Sequence, residues 1–214
     1  MKYIIYGSSG FAKEILWLLE ELKGADDSIQ IIGFIDDDIS KHGEIVNGYP
    51  VLGGEQWIAD QSEINVVIGI GDPRIKKVIR EKLDKYSHVN YPVLIAPSVR
   101  MSKHIEIGKG SIITDGVIMT TNIKLGDFVT VNLDCTVGHD AVIEDYVTLL
   151  PSVNVSGNVV LKTCSNIGTG TAIIQGITVG EGTIVGAGAV VVKNLPNHCT
   201  AVGSPAKPIK YHNQ

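Results

Sequence analysis

The chain has 214 residues, enough for one large or two modest domains that each bury a core. A formal net charge of -5 with no Lys/Arg-rich run argues against a nucleic-acid or membrane-surface binder, since both need a basic footprint, and favours a small ligand or an anionic cofactor. No segment reaches the ~20 consecutive apolar residues of a membrane span, and the apolar opening MKYIIYGSSG breaks at glycine too early for a secretory signal, so a cytoplasmic protein is expected.

The segment YIIYGSSG is an apolar strand running into a glycine turn, and FAKEILWLLEEL follows with Ile15, Leu18, Leu19 and Leu22 at helical spacing. IQIIGFIDDD reads as a second strand ending in acids, and INVVIGIGDP as a third. Asp72 then Pro73 is a helix start, a capping carboxylate ahead of a proline at the first helical position, and RIKKVIREKLDKY continues as the helix. Strand and helix alternate, so residues 1–94 are expected to form a small Rossmann-like parallel α/β domain. Ligands of such sheets bind at the carboxyl ends of the strands, where Gly7, Ser8, Ser9, Gly10, Asp36, Asp37, Gly69 and Gly71 fall; these are the candidate substrate-binding residues. Gly7 to Gly10 is only a GxxG, which fits a tight strand-to-helix turn equally well and speaks against an NAD-dependent enzyme.

From residue 95 the chain can be written in hexads, among them LGDFVT, VNLDCT, VGHDAV, IEDYVT, LLPSVN and VSGNVV, and each begins with Ile, Met, Leu or Val. The fifth place is almost always small or β-branched, and the second is often glycine. Neither the strand period of two nor the helical 3.6 holds such a register; a fixed period of six marks a solenoid of the parallel β-helix type. The first residue of each hexad is expected to point inward and stack on its equivalents, and the fifth to sit at a crowded corner. The run is unbroken, so residues 95–214 are expected to form the solenoid with a C-terminal tail and no long loop. Cys135, Cys164 and Cys199 are odd in number and form no CxxC pair, which suggests neither a disulfide framework nor a thiolate metal site; no metal is expected.

The hexad run resembles the left-handed β-helix of the hexapeptide-repeat acyltransferases, in which three hexads make one triangular coil. Its left hand, which the resemblance implies, departs from the usual right-handed crossover. With the α/β domain ahead of it, the resemblance extends over nearly the whole chain to the bacterial sugar acyltransferases that include sialic acid O-acetyltransferase and the N-acetyltransferases of nucleotide-linked 4-amino sugars. It is carried by His139-Asp140, the GSSG turn, the FIDD strand end and the terminal VGSPAKPIK. The resemblance implies that the N-terminal domain holds a nucleotide sugar, that acetyl-CoA lies along the solenoid between two subunits of a homotrimer, and that the histidine followed by an acid deprotonates the acceptor. The sequence departs from the family pattern at Phe11, where relatives often carry histidine, and at Thr148, where the amino-sugar enzymes can carry a second one.

His139 is the third residue of its hexad, a place whose side chain leaves the inner stack. An imidazole ordinarily titrates near pH 6.5, which suits proton removal at neutral pH, and Asp140 beside it can fix the tautomer or support the imidazolium. Gly157 lies one coil on, roughly 4.8 Å along the axis, where the lack of a side chain lets a thioester approach and leaves a backbone N–H for the oxyanion. Asn132 is a candidate to orient base or acceptor, or a plain turn asparagine. Gly157, Gln175, Lys193, Lys207 and Lys210 form the candidate cofactor-binding set, with Lys193 three coils from His139, roughly 14 Å along the axis, and the last two suited to the CoA phosphates. His104 and His42 read as surface residues. The expected reaction is direct transfer of acetyl from acetyl-CoA to the amino group of a UDP- or dTDP-linked deoxy sugar, with His139 as base. O-acetylation of a sugar or sialic acid is the alternative, and a non-catalytic trimeric scaffold, with His139 a solvated wall residue, is the alternative from another class.

Overall fold

The computed structural model describes residues 1–212, and the chain divides into two compact units, one of Met1–Gly71 and Ile75–Leu94, the other of Asp72–Arg74 and the chain from Ile95 onward.

The first unit opens with strand β1 (Lys2–Tyr6) and helix α1 (Gly10–Ala25), followed by β2 (Gln30–Ile35) and a hairpin of β3 (Ile45–Val46) and β4 (Tyr49–Pro50). Then come β5 (Ile64–Ile68), helix α2 (Pro73–Lys82) and β6 (Val89–Asn90). The sheet order is β2-β1-β5-β6, all parallel, and the central β1 buries Ile4 and Ile5 completely. Helix α1 turns Ala12, Ile15, Leu16, Leu18 and Leu19 into the core, the stripe that its 3.6-residue period lays along one side. Asp72 caps α2 as its position before Pro73 dictates, its carboxylate accepting from the Arg74 N–H at 2.9 Å. The helix is shorter than its sequence suggests: it tightens after Lys82 into a turn in which the Leu83 N–H donates to both Ile79 and Arg80. The hairpin turns through Asn47 and Gly48, both at positive φ, the pairing that a two-residue turn of this hand requires.

The second unit is a parallel β-helix, the left-handed hexapeptide solenoid, with three sheets of eight, six and five strands. Its period is visible in the register: Thr136 pairs with Asn154, Val142 with Val160, and Thr148 with Asn166. Each pair is three hexads apart, so every coil stacks directly on the last. The first place of the hexad forms the inner column, and Ile113, Leu125, Val131, Val137, Ile143, Leu149, Leu161 and Val185 are all fully or nearly buried. Each such aliphatic side chain removed from water contributes ~1.5–3 kcal/mol, which lets two-residue strands persist. The final coil is closed by Cys199–Val202 and an antiparallel strand, Lys207–Tyr211.

The fifth place does not form the corner: Ser111, Val129, Cys135, Ala141, Val147 and Thr171 point inward and are buried beside the first-place column. The corner falls on the fourth place, where Asn122, Phe128, Asp134, Asp140, Asn158 and Gly176 adopt φ between 55° and 76°. Gly, Asn and Asp tolerate that left-handed conformation best, and they fill most fourth places of the run. The fifth place is small because it shares the interior with the aliphatic column. Cys135 is one such interior residue, and burial pushes its thiol up to about 11.

Candidate active site

In the first unit, the ends of β1 and β2 are tied together by one carboxylate. Asp36 accepts from the Ser8 N–H at 3.0 Å, the Ser8 hydroxyl at 2.6 Å, the Asp38 N–H at 3.0 Å and the Lys41 ammonium at 2.9 Å. Burial alone would raise its pKa, but the donors from Ser8, Asp38 and Lys41 outweigh it and hold the carboxyl below the usual aspartate range. Asp36 is therefore a brace for the Gly7–Gly10 turn, its oxygens already taken. Asp37 is half exposed, accepting from the Tyr6 hydroxyl at 2.8 Å and from Lys82 at 2.9 Å. Glu55 extends this cluster through Lys85 at 2.7 Å and the Tyr86 hydroxyl. Lys41, Lys82 and Glu55 were not legible as site residues, because their approach to the strand ends is a matter of tertiary placement.

The glycines of this edge divide in two. A Cβ on Gly69 would meet the Ala12 Cβ at 2.8 Å, so Gly69 lets α1 approach β5, and Gly7, at φ +98°, would meet Ile70 at 2.8 Å. Gly10 and Gly71 have nothing within 4 Å of where a Cβ would stand. Helix α1 begins there with Ser9 as N-cap, no side-chain capping bond and no acid in its first turn. Exposed Ser9 and Gly10 thus present open N–H groups at the positive end of a helix dipole, an arrangement suited to a phosphate.

In the second unit, His139 occupies the third place of its hexad, directly before the corner residue Asp140. Its Nδ1 lies 2.8 Å from Asp140 Oδ2, with both side chains about half exposed. Asp140 takes φ +59°, which turns its carboxylate back onto the neighbouring ring, and its other oxygen accepts from Asn122 Nδ2 at 3.3 Å. The His139 bond first, and that from Asn122 second, hold the Asp140 carboxyl below its ordinary range. A carboxylate on Nδ1 favours the tautomer with its proton there, leaving Nε2 as a bare acceptor. That ring lies against Gly157 one coil on: a Cβ there would fall 2.5 Å from Nε2 and 2.6 Å from Cε1. Among the described residues the Gly157 N–H donates no hydrogen bond, although the residue is buried, whereas the equivalent amides of Lys109 and Asp127 are capped by carboxylates one coil on. An imidazole nitrogen and an uncommitted amide therefore adjoin one another.

A histidine over a glycine is not sufficient in itself. His198 fills the space above Gly182 in the same way, its Nδ1 2.7 Å from where a Cβ would be, yet among the described residues it has only backbone hydrogen bonds and no carboxylate on its ring. The acid on Nδ1 distinguishes His139. Asn132 is nearly buried, and its side-chain oxygen accepts from the Leu133 N–H at 2.8 Å, so it serves its own turn. Gln175 and Lys193 occupy the same hexad place as His139 and Gly157 and are exposed, while Lys207 and Lys210 lie on the exposed terminal strand. His104 is exposed, as its sequence setting suggests; His42 bonds the Asp36 carbonyl through Nε2 at 2.7 Å.

A small parallel α/β domain followed in the chain by a hexapeptide β-helix is the architecture of the acetyltransferases that this chain resembles in structure. The chain resembles the GDP-perosamine N-acetyltransferase of Escherichia coli O157:H7, 32% identical over 97% of this chain and 96% of that protein. It superimposes on WeeI from Acinetobacter baumannii with a TM-score of 0.90 at 34% identity, over 98% of this chain and all of the other. PerB from Caulobacter crescentus, solved with CoA and GDP-perosamine, matches with a TM-score of 0.89 at 27% identity over 98% of each chain. Residues 2–83 match the family model described as the PglD N-terminal domain. The chain belongs to the bacterial hexapeptide-repeat sugar acyltransferases, in the branch of the nucleotide-amino-sugar N-acetyltransferases.

Proposed function

We propose that the protein transfers acetyl from acetyl-CoA to the amino group of a nucleotide-linked deoxy amino sugar, with His139 as general base. The observation that carries this reading is the His139–Asp140 pair set against Gly157 with its uncommitted N–H. In the proposed step the neutral amine attacks the thioester carbonyl and gives up a proton to His139 Nε2. The oxyanion forms beside the Gly157 N–H and collapses with loss of the CoA thiolate, which takes the proton from the His139 imidazolium and leaves as the thiol, returning the base to its neutral form. Direct transfer fits, since no covalent enzyme intermediate is needed.

The first unit, through the open turn at Ser9 and Gly10, is assigned the nucleotide sugar, and the solenoid, through Gly157, Gln175, Lys193, Lys207 and Lys210, is assigned acetyl-CoA. The assembly is read as a homotrimer working in the cytoplasm. Among the described residues no helix is long and apolar enough to cross a membrane. The nucleotide is one of GDP, UDP and dTDP, and GDP is the one that PerB was solved with.

The test is acetyl transfer measured by mass spectrometry on a panel of GDP-, UDP- and dTDP-linked 4-amino sugars beside their 4-hydroxy counterparts and free sialic acid. Product from one amino-sugar nucleotide and none from the hydroxyl acceptors is the expected result. Product from sialic acid alone would transfer the reading to O-acetylation, and none from any acceptor would favour the scaffold.

A further inference from the structure

Asn122 stands one coil before Asp140, at the same corner of the solenoid and at the same fourth place of its hexad. It adopts φ +55°, and its Nδ2 donates to Asp140 Oδ1 at 3.3 Å. The other oxygen of that carboxylate is on His139 Nδ1 at 2.8 Å, and the His139 ring rests on Gly157. Three successive coils thus contribute a single row: amide, carboxylate, imidazole, glycine.

From this row we infer that Asn122 is a positioning residue for the base, an inference that rests on the proposed role of His139. An exposed hydrogen bond of 3.3 Å contributes little to folding, because water competes for both partners. Its effect is on direction. A carboxylate held by one partner rotates about its terminal bond, since that torsion is soft. Held at Oδ1 by the coil below, Asp140 keeps Oδ2 aimed at Nδ1, and the imidazole keeps its proton on that nitrogen. Released, the carboxylate leaves the ring free to take the other tautomer, which presents a proton rather than a lone pair to the acceptor. Asn122 also lines a cavity of about 380 Å³ with Lys103, His104, Glu106 and Lys124, so direct contact with the acceptor is the competing role.

The two roles separate kinetically. Glycine accepts φ +55° without strain, so Asn122→Gly removes the amide and leaves the corner intact, which an unchanged Tm verifies. Its kcat should fall on the order of three- to tenfold with the acceptor KM unchanged. In an Asp140→Asn background the same change should cost nothing further, because the effect passes through that carboxylate. Asn122→Asp sets a second negative charge beside Asp140, which favours the imidazolium and should move the ascending limb of kcat against pH upward by about 0.5. A raised acceptor KM at unchanged kcat would overturn the inference in favour of acceptor contact. So would an additive loss in the Asp140→Asn background, or a limb that stays in place in Asn122→Asp. His139→Ala is measured alongside: if it keeps the parent turnover, the base assignment has failed and takes this inference with it. If it is inactive while Asn122→Gly equals the parent, the inference fails alone.

Discussion

The His139 ring occupies the space that a side chain on Gly157 would need, its Nε2 standing 2.5 Å from the position of that missing Cβ. Gly157 is not held in a left-handed conformation, so an alanine there meets no backbone strain, and the three atoms nearest its Cβ all belong to the His139 ring, which must yield. Gly157→Ala should therefore fold with a Tm within a few degrees of the parent while turnover falls on the order of 10- to 100-fold, since the base is turned away and the amide is screened. Parent turnover in a folded Gly157→Ala protein would show that neither the ring position nor the amide matters.

The strand-end acids should behave differently from one another. Asp37 keeps half its carboxylate in water, and Asp37→Ala is expected to raise the KM for the nucleotide sugar with little effect on that for acetyl-CoA. Asp36→Ala releases the turn from Ser8 and should both raise that KM and lower Tm. Gly10→Val, whose side chain would enter open space, should block acceptor binding alone. A change in acetyl-CoA affinity without one in the sugar would reverse the assignment of ligands to the two units.

Asp36 also sets an acid sensitivity. Although burial opposes ionisation, the Ser8, Asp38 and Lys41 donors depress its folded pKa below the value of ~3.9 in an unfolded chain. The unfolded state consequently takes up the proton first as pH falls. The stabilisation is fully present above about pH 4 and is lost as pH drops toward the folded pKa. Tm followed from pH 6 to pH 3 should fall less steeply in Asp36→Asn than in the parent. Equal slopes would mean that this carboxylate is not linked to folding.

The trimer is tested by mass. Light scattering at working concentration should give three chains, with a Tm that rises with protein concentration as for an obligate oligomer. An active preparation with the mass of one chain would contradict an acetyl-CoA site shared between subunits.

Much of this molecule is legible in its sequence for one physical reason: a solenoid repeats its local environment, so the six-residue recurrence of Val131, Val137, Ile143 and Leu149 states the fold outright. The corner was the part misplaced. Its signal, Gly, Asn and Asp at the fourth place, is present but masked by Phe128 and Tyr146, large residues that also adopt φ +57° and +61° at that corner and stack their rings at 5.4 Å across adjacent coils. The Asn47-Gly48 hairpin also carried a readable turn signal. His139, Asp140 and Gly157 could be paired because i and i+18 are neighbours in any such solenoid. The grip of Asp36 on Ser8 and that of Lys82 on Asp37 could not, since chain separations of 28 and 45 residues follow no period.

The central claim is that His139 removes the proton from an acceptor amine. It is tested most directly by steady-state acetyl transfer from acetyl-CoA to the preferred amino-sugar nucleotide, with parent and His139→Ala compared at saturating substrates and acetyl-CoA affinity measured separately by calorimetry. A loss in kcat on the order of 10² to 10⁴ with acetyl-CoA binding intact is the predicted result; a kcat within threefold of the parent would contradict it.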